Sequence, residues 1–200
     1  MMKSMYYPAM LNLKNKKCVV VGGGLVAHRK CSMLLECEAS IKVVSLTFQK
    51  EFFEFDPTRI LLIQDVFRTQ YIENCFLVIA ATGEKEVNCE ISRYCEENRI
   101  LVNIIDEPEL CSLITPAYLR RGNLTISIST GGKSPALAKK IKEEISKNYP
   151  AEYSEYVETM GLVRERIMKK GHSQQERTQI LDELSHLTFD ELSDYYENME

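Results

Sequence analysis

Gly22, Gly24 and Ala27 in "CVVVGGGLVAHRK" (18–30) stand at the spacing G-x-G-x-x-A. Where a strand turns into a helix, each position has a physical job. Gly22 allows the tight turn, Gly24 keeps side-chain atoms out of the path of a pyrophosphate, and Ala27 lets the helix approach the sheet. With Gly23 between them, backbone N–H groups at the helix start would face phosphate oxygens at the favourable end of the helix dipole. A bare glycine turn uses the same residues, so the motif gains weight only from a strand before it and a helix after it. About twenty residues on, an NAD site usually ends its second strand with Asp or Glu for the ribose hydroxyls. Here "VVSLT" offers Ser45 and Thr47, with no acid and no arginine suited to a 2′-phosphate. Hydroxyls and backbone can bind a ribose, but this position leaves the choice between NAD and NADP open.

Two further places carry chemistry. Asp106 closes "ILVNIID", three residues after Asn103. Ligands of open α/β sheets gather outside the carboxyl ends of the strands. A carboxylate there can accept a proton while a hydride leaves, or orient a substrate N–H; the alternative is an aspartate that only shapes a turn. In "SISTGGKSPALAKKI" (127–141), Ser129, Thr130, Gly131, Gly132 and Lys133 precede a fresh helix start, with Lys139 and Lys140 inside the helix. Arg120 and Arg121 lie just upstream, in the expected connecting turn. Backbone donors, a helix dipole and cations together receive an anion; the alternative is a capped surface helix with solvated lysines. On a chain of net charge −4, a small positive patch points to a polyanionic small molecule rather than nucleic acid.

The elements that must position these groups follow from apolar patterning. "KCVVVG" (17–22), "IKVVSL" (41–46), "RILLIQ" (59–64), "CFLVIAAT" (75–82) and "ILVNIID" (100–106) read as strands. "LVAHRKCSMLLEC" (25–37) reads as a helix with Val26, Lys30, Met33 and Leu34 at helical spacing. "EKEVNCEISRYCEEN" (84–98) is amphipathic along Val87, Ile91, Tyr94 and Cys95. Such alternation predicts a parallel sheet with right-handed crossovers. After Asp106, strand-like pieces around Leu113–Thr115 and Leu124–Ser129 are joined by "RRGN". Ser134 and Pro135 open a helix that closes at Pro150. The remainder is helix-like and ends in a helix over 187–199, with Thr188 and Glu191 at capping-box spacing. The fold class is therefore α/β: a Rossmann-like parallel-sheet domain (1–112), a small β-rich segment with a connecting helix (113–150) and a helical C-terminal domain (151–200).

Composition bounds the rest. Hydrophobic residues at 44% and charged residues at 27% are those of a globular chain, which argues against disorder. No run approaches the ~18 apolar residues of a membrane span. The opening "MMKSMYYPAML" lacks the apolar core of a secretory signal. The seven cysteines show no C-x-x-C spacing and read as reduced, mostly buried thiols of a cytoplasmic protein. The histidines, His28, His172 and His186, form no i, i+4 pair, so no metal site is expected.

"LKNKKCVVVGGGLVAHRK", "AATGEKEVN", "VNIIDEPELCSLITPA" and "ISISTGGKSPALAKKI", in this order, resemble the precorrin-2 dehydrogenase family. This is the N-terminal module of sirohaem synthases, which also occurs free-standing at about this length. The resemblance implies NAD-dependent oxidation of precorrin-2, a carboxylate-rich tetrapyrrole, to sirohydrochlorin. It assigns Asp106 the functional aspartate and places Leu25, Val26, Leu46 and Thr47 among the NAD contacts, binding the ribose without an acid. Thr82 of "AAT" joins that cofactor-binding set with Gly22, Gly23, Gly24 and Ser45. Arg120, Arg121 and the 129–133 loop would hold the substrate's carboxylates, between that loop and the end of the fifth strand. Thr130 falls where some members carry a regulatory serine. The resemblance also implies a homodimer served by residues 111–150. Some members insert Fe²⁺ as well, through the same aspartate; His28 is read as a helix-face residue rather than a metal ligand. Two other functions share the glycine turn: a sensor of NAD or NADH without turnover, and a chelatase that has lost the redox step. The second anion site argues against the sensor, and metal insertion without NAD would reveal the chelatase.

Overall fold

The computed structural model describes residues 6–199. The first five positions of the opening segment, where the absence of a secretory signal was read, lie outside the described residues. The chain divides into two compact units, Met1–Thr115 and Pro116–Glu200.

The first unit is a Rossmann-like sheet. Its strands are β1 (Lys17–Val21), β2 (Ser40–Ser45), β3 (Ile60–Gln64), β4 (Leu77–Ala80) and β5 (Leu101–Ile104), with helices α1 (Leu25–Glu36) and α2 (Lys85–Glu97). All pairings are parallel, in the order β3-β2-β1-β4-β5. The chain builds outward from β1 through β2 and β3, then returns to lay β4 and β5 on the other side. The order therefore reverses at β1, where such sheets open a crevice for a ligand. Val21 is level with Val44 and with Ala80, and Ala80 with Ile104. That register brings the residues following β1, β2, β4 and β5 to one edge of the sheet.

Alternate residues bury on opposite faces. Cys18, Val20, Ile41, Val43, Leu77 and Ile79 pack with Ala27, Cys31 and Leu34 of α1 and with Phe52. Val19, Val21, Val44, Val78, Ala80, Val102 and Ile104 pack with Ile72, Ile91 and Cys95. Each fully buried valine or isoleucine contributes about 1.5–3 kcal/mol. The buried face of α1 matches the expected stripe at Lys30 and Leu34 and departs from it at Val26 and Met33. Ala27, Lys30, Cys31 and Leu34 are buried while Val26 is exposed. Lys30 enters with that face; burial, and then the charge of Arg29, pull its ammonium down to about 8.

The expected strand around Leu113–Thr115 is absent. The chain instead folds back along β5, making a short 3-10 turn at Pro108–Leu110. Ser112 Oγ accepts from Val102 N at 2.9 Å and Cys111 Sγ from Ile104 N at 3.1 Å. Side chains thus satisfy the outward N–H groups of this edge strand, while its Val102 carbonyl accepts from Ser112 N and Leu113 N, each at 3.1 Å.

The second unit opens with an antiparallel hairpin, β6 (Ala117–Arg121) and β7 (Leu124–Ile128). Arg120 and Arg121 therefore lie in a strand; the turn is Gly122-Asn123 alone, with Gly122 at φ +53°. Two-residue hairpin turns favour glycine at this first position. Then come α3 (Pro135–Asn148), α4 (Tyr153–Lys169), α5 (Gln174–Leu184) and α6 (Phe189–Glu197). Ser134 caps α3, and the Thr188–Glu191 capping box is formed on α6. Val163, Ile167, Leu184 and Leu192 form this unit's helical core. No helix among the described residues is long and apolar enough to cross a membrane.

Candidate functional site

The glycine turn separates into three different roles. Gly22 adopts φ +125°, and a Cβ there would lie 2.4 Å from the Ala81 carbonyl oxygen. At Gly23 a Cβ would lie 1.9 Å from the Thr47 carbonyl oxygen. At Gly24, the N-terminal flank of α1, it would meet nothing within 4 Å. The first two glycines let β1 pass between its neighbouring loops. The third borders open space, which is what a pyrophosphate needs. Gly23, Gly24, Ser45, Thr47, Phe48, Gln49 and Lys50 line a cleft of about 550 Å³, within the range of small-molecule sites. Gln49 N donates to Gly23 O at 2.9 Å and so ties the far wall of the cleft to the turn. Leu25, Val26 and Leu46 are exposed aliphatic side chains on the segments that follow β1 and β2. The residues present therefore fit a dinucleotide.

Beyond β4, Thr82 Oγ1 donates to Asn88 Oδ1 at 2.9 Å and accepts from Glu84 N at 3.2 Å. Its hydroxyl is thus engaged within the turn, and its carbonyl oxygen accepts from Asn88 Nδ2 at 3.5 Å. Asn88 is almost fully buried and donates from Nδ2 to Glu107 Oε1 at 2.8 Å. Through Asn88, the turn after β4 and the turn after β5 are braced against each other.

Asp106 sits in that second turn, exposed, at φ +62°. Aspartate tolerates this left-handed conformation better than most side chains. Its carboxylate has no hydrogen bond or ion pair among the described residues. Below it, Asn103 is buried and donates to Leu113 O at 3.1 Å, so Asn103 supports the loop rather than a ligand. His28 stacks on Phe55 at 4.4 Å and meets Phe52 edge-on at 5.3 Å, a packing role on the α1 surface.

In the second unit the 129–133 loop is largely self-satisfied. Ser129 Oγ accepts from Gly131 N at 3.1 Å, Thr130 Oγ1 from Ser134 N at 3.0 Å, and Thr130 O from Lys133 N at 3.2 Å. Fewer backbone donors remain than the glycines suggested. The Ser129 and Thr130 O–H groups, the Gly132 N–H and the Lys133 ammonium are the groups left for an anion. Gly131 and Gly132 take φ +60° and +78°. Arg121 donates to Tyr149 O at 3.1 Å and to Arg120 O at 3.1 Å, which ties it to the end of α3. Arg120 is exposed on β6, its guanidinium 5.5 Å from the Tyr118 ring. Among the described residues no group of three or more His, Cys, Asp or Glu side chains could hold a metal ion.

Sequence reasoning missed Lys50 and the Asn88–Glu107 brace. Asn88 had a signal: it occupies the buried stripe of α2 with Ile91 and Cys95, where a polar residue needs a partner.

Residues 9–117 match the family described as putative NAD(P)-binding, and residues 121–148 match the sirohaem biosynthesis protein central domain. A Klebsiella pneumoniae protein named siroheme synthase 2 is 32% identical over 180 residues, covering 90% of this chain and 39% of that protein. A Salmonella arizonae siroheme synthase is 34% identical over 166 residues, covering 82% and 36% respectively. The chain thus spans less than half the length of these relatives. The solved structure of SirC, a precorrin-2 dehydrogenase, superposes with a TM-score of 0.82 at 28% identity, covering 97% of this chain and 98% of SirC.

Proposed function

The chain belongs to the sirohaem synthase family, in the part built on its NAD(P)-binding domain, and on that premise we propose that it oxidises precorrin-2 to sirohydrochlorin. The observation that carries the reading is the end-to-end correspondence with SirC, across both units. NAD⁺, bound in the cleft, supplies the hydride acceptor. N–H groups at the start of α1 donate to the pyrophosphate beside Gly24, and the Ser45 and Thr47 hydroxyls take the adenosine ribose. Leu25, Val26 and Leu46 cover the nucleotide with apolar surface, and Thr82 offers its backbone at the end of β4. The oxidation removes two hydrogens from the macrocycle, one as hydride and one as a proton. Asp106 accepts that proton or holds a pyrrole N–H in place. Since the product gains conjugation, positioning supplies most of the rate and acid–base help the rest.

On the second unit, Arg120, Lys133 and the hydroxyls of Ser129 and Thr130 meet substrate carboxylates, with Gly131 and Gly132 letting the loop turn. Arg121 supports this set from the end of α3. The family relation extends the reading to a homodimer served by residues 111–150. The seven cysteines, all unpaired in the structure, agree with a reducing, cytoplasmic setting.

Mixed anaerobically with NAD⁺ and precorrin-2, the protein should yield the sirohydrochlorin spectrum with one NADH per macrocycle. An unchanged spectrum while NAD⁺ stays bound would leave a sensor in place of an enzyme.

A further inference from the structure

We propose that this chain accepts NADP⁺ as well as NAD⁺, and that Lys50 receives the 2′-phosphate. The inference rests on the reading above that the cleft beyond β2 takes the adenosine end of the nucleotide. NAD-selective sites place a carboxylate at the end of the second strand, which binds both ribose hydroxyls and repels a 2′-phosphate. Here that place is held by Ser45 and Thr47, neutral hydroxyls that can donate to a ribose oxygen or to a phosphate oxygen. Lys50 lines the same cleft and, among the described residues, is the one charged residue that does.

Lys50 is exposed and makes no ion pair among the described residues, so its ammonium is available. The Gln49 N–H bond to Gly23 O fixes the segment next to it against the glycine turn. The acid beside it, Glu51, does not line the cleft and has its Oε2 buried without a partner. The local charge facing a 2′-phosphate is therefore positive. Among the described residues lining the cleft no acid opposes the extra phosphate, and one side chain favours it.

Isothermal titration of the whole protein at low salt, with NAD⁺, NADP⁺, 5′-AMP and adenosine 2′,5′-bisphosphate, tests this. NADP⁺ should bind within about tenfold of NAD⁺, and adenosine 2′,5′-bisphosphate should bind more tightly than 5′-AMP. Lys50→Ala should shift the NADP⁺ to NAD⁺ affinity ratio roughly tenfold against NADP⁺, and Lys50→Glu further. Lys50→Arg, which keeps the charge, should retain the ratio. NAD⁺ binding with NADP⁺ more than tenfold weaker, or a ratio indifferent to Lys50→Glu, overturns the inference and leaves the proposed function standing. Failure of both nucleotides to bind overturns the two together.

Discussion

Asp106→Asn should lower kcat for precorrin-2 oxidation by about a hundredfold or more, while the dissociation constant for NAD⁺ moves by less than about threefold. Asparagine is the informative replacement because Asp106 holds φ +62°. Asparagine is among the few residues that adopt this conformation readily, whereas alanine adds backbone strain of about 1 kcal/mol to whatever the carboxylate did. The variant therefore removes the charge and leaves the turn. Glu107 remains bonded to Asn88, so the brace between the turns after β4 and β5 also survives. Stopped-flow turnover and equilibrium titration on the same sample separate the two effects. Equal losses in turnover and in NAD⁺ affinity would move Asp106 from chemistry to cofactor binding.

Gly23→Ala and Gly24→Ala should fail in opposite ways. At Gly23 the new methyl would stand 1.9 Å from the Thr47 carbonyl oxygen and 2.8 Å from Ser45 Oγ, so backbone must move. Overpacking of this kind costs about 1–3 kcal/mol, and Tm should fall by roughly 5 °C or more. At Gly24 the methyl meets nothing within 4 Å, and φ of −88° suits alanine. That variant should melt like the parent, yet lose about tenfold to a hundredfold in NAD⁺ affinity, because its methyl stands where the pyrophosphate must approach. Thermal melts and titrations of the pair check both statements. A Gly24→Ala protein that binds NAD⁺ as well as the parent would remove the pyrophosphate from the space beside Gly24.

The fold was legible in the sequence wherever burial is two-sided. Strands such as "CFLVIAAT" are apolar on both faces because helices cover both faces of the sheet, and such runs admit few other readings. Legibility stopped where side chains replace backbone. Ser112 and Cys111 side chains take the outward N–H groups of β5. The backbone of the segment that patterns like a strand at Leu113–Thr115 therefore reaches β5 only at its start, where Ser112 N and Leu113 N donate to Val102 O, and no ladder continues. The hairpin strand begins two residues later and carries the arginines that had been placed in the turn. The buried stripe of α1 was legible only in part: Lys30 and Leu34 are buried as expected, but Ala27 and Cys31 share that face in place of Val26 and Met33.

In the site, the glycines and Asp106 were identifiable because their positions follow from strand ends alone. The separate duties of Gly23 and Gly24 were not, since they depend on a carbonyl at Thr47, distant in sequence. The engagement of Arg121 was equally invisible, because its partner is the Tyr149 carbonyl at the far end of α3. Thr82 and the 129–133 loop are engaged largely by bonds within their own turns, which depend on how those turns close rather than on residue type. Lys50 escaped notice because only the path of the chain after β2 brings it back to the cleft.

The most direct test of the account is a crystal of the protein soaked with NAD⁺. The pyrophosphate should lie against the start of α1 beside Gly24, with the adenosine ribose toward Ser45 and Thr47 and the nicotinamide ring within reach of the Asp106 carboxylate. A vacant glycine turn, or a nicotinamide directed away from the end of β5, would contradict it.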